Sequence, residues 1–124
     1  MKTAQDPRHK RRRRAVCSLY TAGFGQAKPL RGLAGETEKS QTKIDKLIQK
    51  AAPQWPLARI NRIDLAILRL AVYELTVAKK EPPKVIIDEA VELAKEFGSE
   101  SSPGFVNGAL GNILKKFQFP NPKS

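Results

Sequence analysis

Cysteine, histidine, methionine and tryptophan occur once each in this 124-residue chain, and aromatic residues make up only 6% of it. A single cysteine, Cys17, excludes an intramolecular disulfide and removes the usual reason to read a small domain as secreted. His9 and Cys17 alone cannot assemble the ligand set of a metal site. A bilayer-spanning run is missing too, because Arg62, Asp64, Arg69 and Glu74 interrupt the most apolar stretch, Asn61 to Ala78. No apolar segment of signal-peptide length follows the basic N-terminus, so a cytoplasmic protein without membrane contact is expected. Strand-like alternation, internal repeats, a glycine-rich phosphate loop ending in lysine, and a serine or cysteine in nucleophile context are likewise absent. The expectation is a protein that is not an enzyme and needs no cofactor.

Acidic side chains are scarce, 12 against 23 basic ones, for a net charge of +11. Residues 1 to 14 hold seven basic groups against Asp6, a net of +6, whereas residues 15 to 114 carry 13 basic and 11 acidic groups, a net of +2. Lys115, Lys116 and Lys123 supply the remaining +3. Charge concentrated at the ends of a nearly neutral body is the footprint of a partner for a polyanion.

The length suits one domain (1–124), and 40% hydrophobic content suffices for a core. Asn61 to Ala78 is apolar around nearly its whole circumference, with Leu65, Leu68, Val72 and Leu75 on one stripe and Ile63, Ile67, Leu70 and Ala71 on the next. It is therefore expected to be a central helix wrapped by others, capped by Asn61. Asp6-Pro7 predicts a helix from Pro7 to Ala22 with Ala15, Val16, Leu19 and Tyr20 on its core face. Its arginine-rich N-terminal half, with side chains pointing in nearly all directions, is expected to project past the core. Residues 23–36, rich in glycine and proline, read as a loop, and Thr37 to Ala51 as a one-faced helix. Pro56 could open one more turn before Asn61. Val85 to Phe97 is expected to face Ile87, Ala90, Val91, Ala94 and Phe97 inward and Glu89, Glu92, Lys95 and Glu96 outward, with Gly98 as its stop. Ser102-Pro103 starts a last helix to Phe117, in which Gly104, Gly108 and Gly111 imply a close approach of backbone or ligand. Residues 1–6 and 118–124 are expected to be flexible. The fold class is all-α, a compact helical bundle.

Arg8, His9, Lys10, Arg11, Arg12, Arg13 and Arg14 form the leading candidate site. Arginine forks onto phosphate and stacks on unpaired bases, which favours single-stranded RNA; about five neutralised phosphates would give a salt slope near −3.5. Alanine at Arg11 to Arg14 is expected to abolish RNA binding with little loss of helix. At the start of the last helix, Phe105 could stack and Asn107 could hydrogen-bond RNA, with free N–H groups nearby. Tyr20 ends the apolar stripe, as a rim tyrosine or a further RNA contact. Arg69 and Glu74, on the most buried helix, are expected in ion pairs between helices.

Three blocks, DPRHKRRRRAVCSLYTAGF (Asp6 to Phe24), IDKLIQKAAPQWPLARINRIDLAILRLAVYEL (Ile44 to Leu75) and PPKVIIDEAVELAKEFGSESSPGFVNGALGNILKK (Pro82 to Lys116), together resemble the NusB family of bacterial transcription antitermination factors. The resemblance implies a NusB-like helical bundle that binds boxA-type RNA of ribosomal transcripts jointly with a NusE-type small-subunit ribosomal protein, within the transcription elongation complex. Family members usually carry more helical sequence between the first helix and the block starting at Ile44. That shortening implies a missing wall, an uncovered apolar patch on the central helix and a homodimer through it. Two rival readings are a protein-interaction or dimerisation module that has lost its RNA, and an accessory domain to an RNA-modifying enzyme.

Overall fold

Asp6 starts the first helix, α1 (Pro7–Ala22), by accepting a hydrogen bond from the Arg8 N–H at 2.8 Å, while Pro7 occupies the turn where a missing N–H costs nothing. The computed structural model describes residues 6–25 and 29–117. After α1 come α2 (Gly32–Lys39), α3 (Gln41–Ala51), a 3-10 turn at Leu57–Arg59, α4 (Arg62–Tyr73), α5 (Pro83–Phe97) and α6 (Ser102–Lys116). Among the described residues there is no strand, and no helix long and apolar enough to cross a membrane.

The centre is α4. Asn61 caps it by accepting from the N–H groups of Ile63 (2.8 Å) and Asp64 (3.4 Å). Ala66, Ile67, Leu68, Leu70, Ala71, Val72 and Tyr73 are all buried, and each of the other five helices packs on α4. Fully burying a leucine or isoleucine side chain contributes about 1.5–3 kcal/mol, so this helix carries much of the core's stabilisation. The helix continues through a wider π-helical turn, Glu74–Ala78, closed by Lys79 N–H to Glu74 C=O at 2.9 Å. Lys79 ends it in the left-handed region, with φ of 51°.

Between α1 and α3 the structure departs from expectation. Gly32 to Glu36 are helical, not loop, and the predicted helix Thr37 to Ala51 is broken at Ser40 into α2 and α3. Burial explains α2: Leu33, Ala34 and Thr37 turn inward against α1 and α4, and Thr37 donates its hydroxyl to the Leu33 carbonyl at 2.8 Å. Gly35 is required there, since a Cβ would lie 2.7 Å from the Leu30 carbonyl oxygen. Helix α2 thus supplies the wall expected to be missing. The central helix is covered, and the uncovered-patch reason for a homodimer is gone. Residues 1–5, 26–28 and 118–124, expected as flexible ends and part of the loop, lie outside the described residues.

At the far side, α6 packs on α3, α4 and α5 through Val106, Ala109, Leu110 and Ile113. Ser102 does not cap this helix with its side chain; its hydroxyl accepts from the Ser99 N–H at 2.9 Å instead. Gly98 makes that turn feasible, because a Cβ there would sit 2.4 Å from the Ser102 Oγ. By contrast, a Cβ on Gly104, Gly108 or Gly111 would meet nothing within 4 Å, so the close backbone approach expected at these three positions is absent among the described residues. Gly108 is exposed in mid-helix, and Gly108→Ala should raise the unfolding free energy by about 0.5–1 kcal/mol in urea titration.

Candidate nucleic-acid interface

Leu19, Val16 and Ala15 set the inward face of α1, and continuing that face backward by three or four residues at a time reaches Arg12 and His9. Both are buried. The basic half of α1 therefore does not project past the core. It lies against carboxylates from the end of α4 and from α5 and the loop before it.

Arg12 is the centre of this contact. Its Nε and Nη2 donate to the two carboxylate oxygens of Glu74, each at 2.8 Å, and Nη2 also donates to Glu81 at 2.7 Å. Nη1 lies 3.8 Å from Glu89. Burial alone would lower the affinity of the guanidinium for its proton, but Glu74 and Glu81 outweigh it and hold the group above its ordinary range. His9 sits between two carboxylates of α5, with Nδ1 2.9 Å from Glu89 and Nε2 3.3 Å from Glu96. Arg13 Nε lies 2.6 Å from Glu96, a charge contact without an aligned hydrogen bond, and its guanidinium stands 5.9 Å from the centre of the Phe97 ring. Arg8, largely exposed, reaches Asp6 at 3.5 Å and Glu81 at 4.0 Å.

Glu89 and Glu96, expected to face outward, thus serve as inward or rim partners of α1; Glu89 is only 4% exposed. The residues expected to act together on RNA divide into two sets. His9 and Arg12 are buried against carboxylates, and Arg13 and Arg8 are partly engaged. Lys10, Arg11 and Arg14 are exposed and make no ion pair among the described residues. Four consecutive arginines are split in this way because successive side chains are about 100° apart. A carboxylate belt 62 to 87 residues away in the chain decided which way each one faces, and its signal in the sequence was the apolar register of α1 extended into its polar half.

The other candidates are placed elsewhere. Tyr20 is 38% exposed at the C-terminal end of α1, its ring edge against Phe24 at 5.1 Å between centroids. Phe105 is half-buried, edge-on to Trp55 at 5.9 Å. Asn107 is exposed in a cleft that also holds Asp88, Glu92 and Lys95. Helix α1 packs on α2 and α4, and α6 on α3, α4 and α5. Arg69 forks onto Asp45 of α3 at 2.9 and 3.0 Å, and Glu74 pairs with Arg12, the interhelical ion pairs expected of both. No cluster of three or more histidine, cysteine or acidic side chains among the described residues could hold a metal ion.

Five helices around a buried fourth one, with a first helix that is pinned on one side and cationic on the other, define an all-helical bundle bearing a basic helix face. Comparison with known proteins makes this specific. The NusB family profile matches residues 26–115. The transcription antitermination protein NusB of Chloroflexus aggregans is 44% identical over 90 residues, covering 71% of this chain and 60% of that protein. T. maritima NusB superposes with a TM-score of 0.75 at 32% identity, covering 99% of this chain and 97% of that one. A crystal structure of antitermination factors NusB and NusE in complex with dsRNA gives a TM-score of 0.77 at 25% identity, over 88% and 96% of the two chains. The chain belongs to the NusB family. It spans about 60% of the length of the curated relatives it matches.

Two measurements test the geometry. Arg12→Ala leaves Glu74, Glu81 and Glu89 without their guanidinium and should cost about 3–5 kcal/mol in urea unfolding, against under about 0.5 kcal/mol for Arg11→Ala. The fourfold Arg11 to Arg14 replacement would therefore disturb the fold and could not report on RNA alone. Asp64, buried at the start of α4, has its carboxyl raised above the ordinary value of 3.8 by burial, with the Ser102 hydroxyl working in the opposite direction. The folded state then binds this proton more readily than the unfolded one, so Asp64's contribution falls as pH rises above 3.8 towards the folded value. Relative to the wild type, Asp64→Asn should gain stability between acid and neutral pH, measured as the difference between the two urea midpoints.

Proposed function

We propose that this chain is an RNA-binding transcription antitermination factor of the cytoplasm, without catalytic activity, that engages boxA-type RNA of ribosomal transcripts together with a NusE-type ribosomal protein. The observation that carries the reading is the outer face of α1: Lys10, Arg11 and Arg14 are exposed and make no ion pair among the described residues, on a helix whose inner face is locked. Held cations of this kind meet phosphates without first breaking an ion pair, and guanidinium planes also stack on unpaired bases. The likeness to a NusB–NusE–RNA assembly supports both partners.

Within this reading Lys10, Arg11 and Arg14 are the principal phosphate contacts, Arg8 and Arg13 flank them, and Tyr20 closes the row. His9 and Arg12 act indirectly, by setting the rotation of α1. Asn107 shares its cleft with Asp88 and Glu92, which repel phosphate, and Phe105 is engaged with Trp55; both lie off the main track.

Three phosphate contacts on a single strand predict a slope of log affinity against log salt near −2, shallower than the value of about −3.5 expected if the whole run were available. Arg11→Ala/Arg14→Ala should flatten the slope by about 1.4 and weaken binding while leaving the circular dichroism unchanged. Anisotropy titrations of labelled boxA-like, scrambled and duplex RNA, with and without the ribosomal partner, check this. An unaltered slope in the double variant would remove the α1 face from the interface.

A further inference from the structure

The C-terminal half of α1 carries a feature that phosphate contacts leave unused. A cleft of about 660 Å³ is walled by Cys17, Tyr20 and Thr21 of α1, Arg62 and Ile63 of α4, and Phe97 of α5. At its rim Arg62 stands over the Phe24 ring, with its guanidinium carbon 4.4 Å from the centroid, and donates a hydrogen bond to the Gly23 carbonyl. Tyr20 meets Phe24 at nearly a right angle, with the ring centroids 5.1 Å apart. Phe24 is nevertheless 58% exposed, the most exposed large hydrophobic side chain among the described residues. An apolar ring so exposed is normally unfavourable, and here it is held in place by an arginine and a tyrosine in an open corner.

We propose that this corner takes one unpaired base of the bound RNA, with Phe24 and Arg62 as its stacking platform; the inference rests on the RNA-binding reading above. Three observations support it. Lys10, Arg14, Cys17 and Thr21 follow one another at spacings of four, three and four, so the row of free cations runs along one side of α1 directly into the cleft. Among the described residues no carboxylate lines this cleft, whereas Asp88 and Glu92 line the one between α5 and α6. Its volume falls within the range of small-molecule sites, roughly 300–1,000 Å³, and an aromatic face beside a guanidinium plane is the surface on which single-stranded nucleic acid stacks. A base within a duplex is stacked on its neighbours and cannot enter, so the corner would favour single-stranded over double-stranded RNA.

The test uses the intact chain, a short labelled single-stranded RNA and its duplex. Phe24→Ala should weaken single-strand binding by about tenfold with the salt slope unchanged, because stacking and not charge is lost. Arg62→Lys, which keeps the charge and loses the plane, should weaken it several-fold, and duplex binding should not change in either variant. Bound single-stranded RNA should also slow the reaction of Cys17, the sole cysteine, with a thiol reagent, while duplex RNA should not. The exposure of Phe24 should let its variant fold, which circular dichroism checks. If both variants bind single-stranded RNA as the wild type does and Cys17 stays equally reactive, the platform is overturned while the α1 reading stands. A wild-type chain with no affinity for RNA at low salt overturns both.

Discussion

The buried contact of Arg12 with Glu74, Glu81 and Glu89 is the constraint on which the rest of the surface depends. A helix can turn about its own axis at modest cost when only apolar side chains hold it, since such contacts have no direction. A forked guanidinium on paired carboxylate oxygens does have direction, and once broken it leaves charges out of water. With Arg12 turned inward, helical geometry places Lys10 and Arg14 each about 200° away, on the solvent side. The interior ion cluster and the exterior cation row are two consequences of one rotation.

The same logic is repeated around the central helix. Arg69 reaches Asp45 of α3, the Tyr73 hydroxyl donates to Glu36 of α2 at 2.9 Å, Glu74 takes Arg12 of α1, and Asp64 lies against Ser102 of α6. These four groups each address a different neighbouring helix. Apolar burial supplies the stability of the bundle, and these directional contacts fix where each surrounding helix sits. Helix α2, short and glycine-containing, is held in this way by Tyr73 and by its own buried Leu33 and Ala34, and would have little stability alone.

Charge is sorted by depth as a result. Carboxylates of α4, α5 and the loop between them sit beneath the first helix, and uncompensated cations sit above it. In the proposed reading, an RNA strand approaching this face meets cations that have no ion pair to break among the described residues. The membership of the chain in the NusB family and the placement of Tyr20, Phe24 and Arg62 at the end of the row fit a surface that tracks a nucleic-acid backbone and ends at an aromatic corner.

Much of this was legible before any coordinates. Asp6 and Asn61 capped their helices as their side chains dictate, Gly98 ended α5, and the apolar stripes of α3, α4 and α6 faced inward, because caps and helical periodicity act between residues a few positions apart. Local pattern thus specifies five of the six helices, the identity of the central one and the presence of a basic segment. Packing across the fold settles that Gly32 to Glu36 are helical, that Glu89 faces inward, and which members of the basic run stay exposed. Those outcomes depend on groups 37 to 80 residues apart meeting in a low-dielectric interior, where one misplaced charge costs more than any local preference can return.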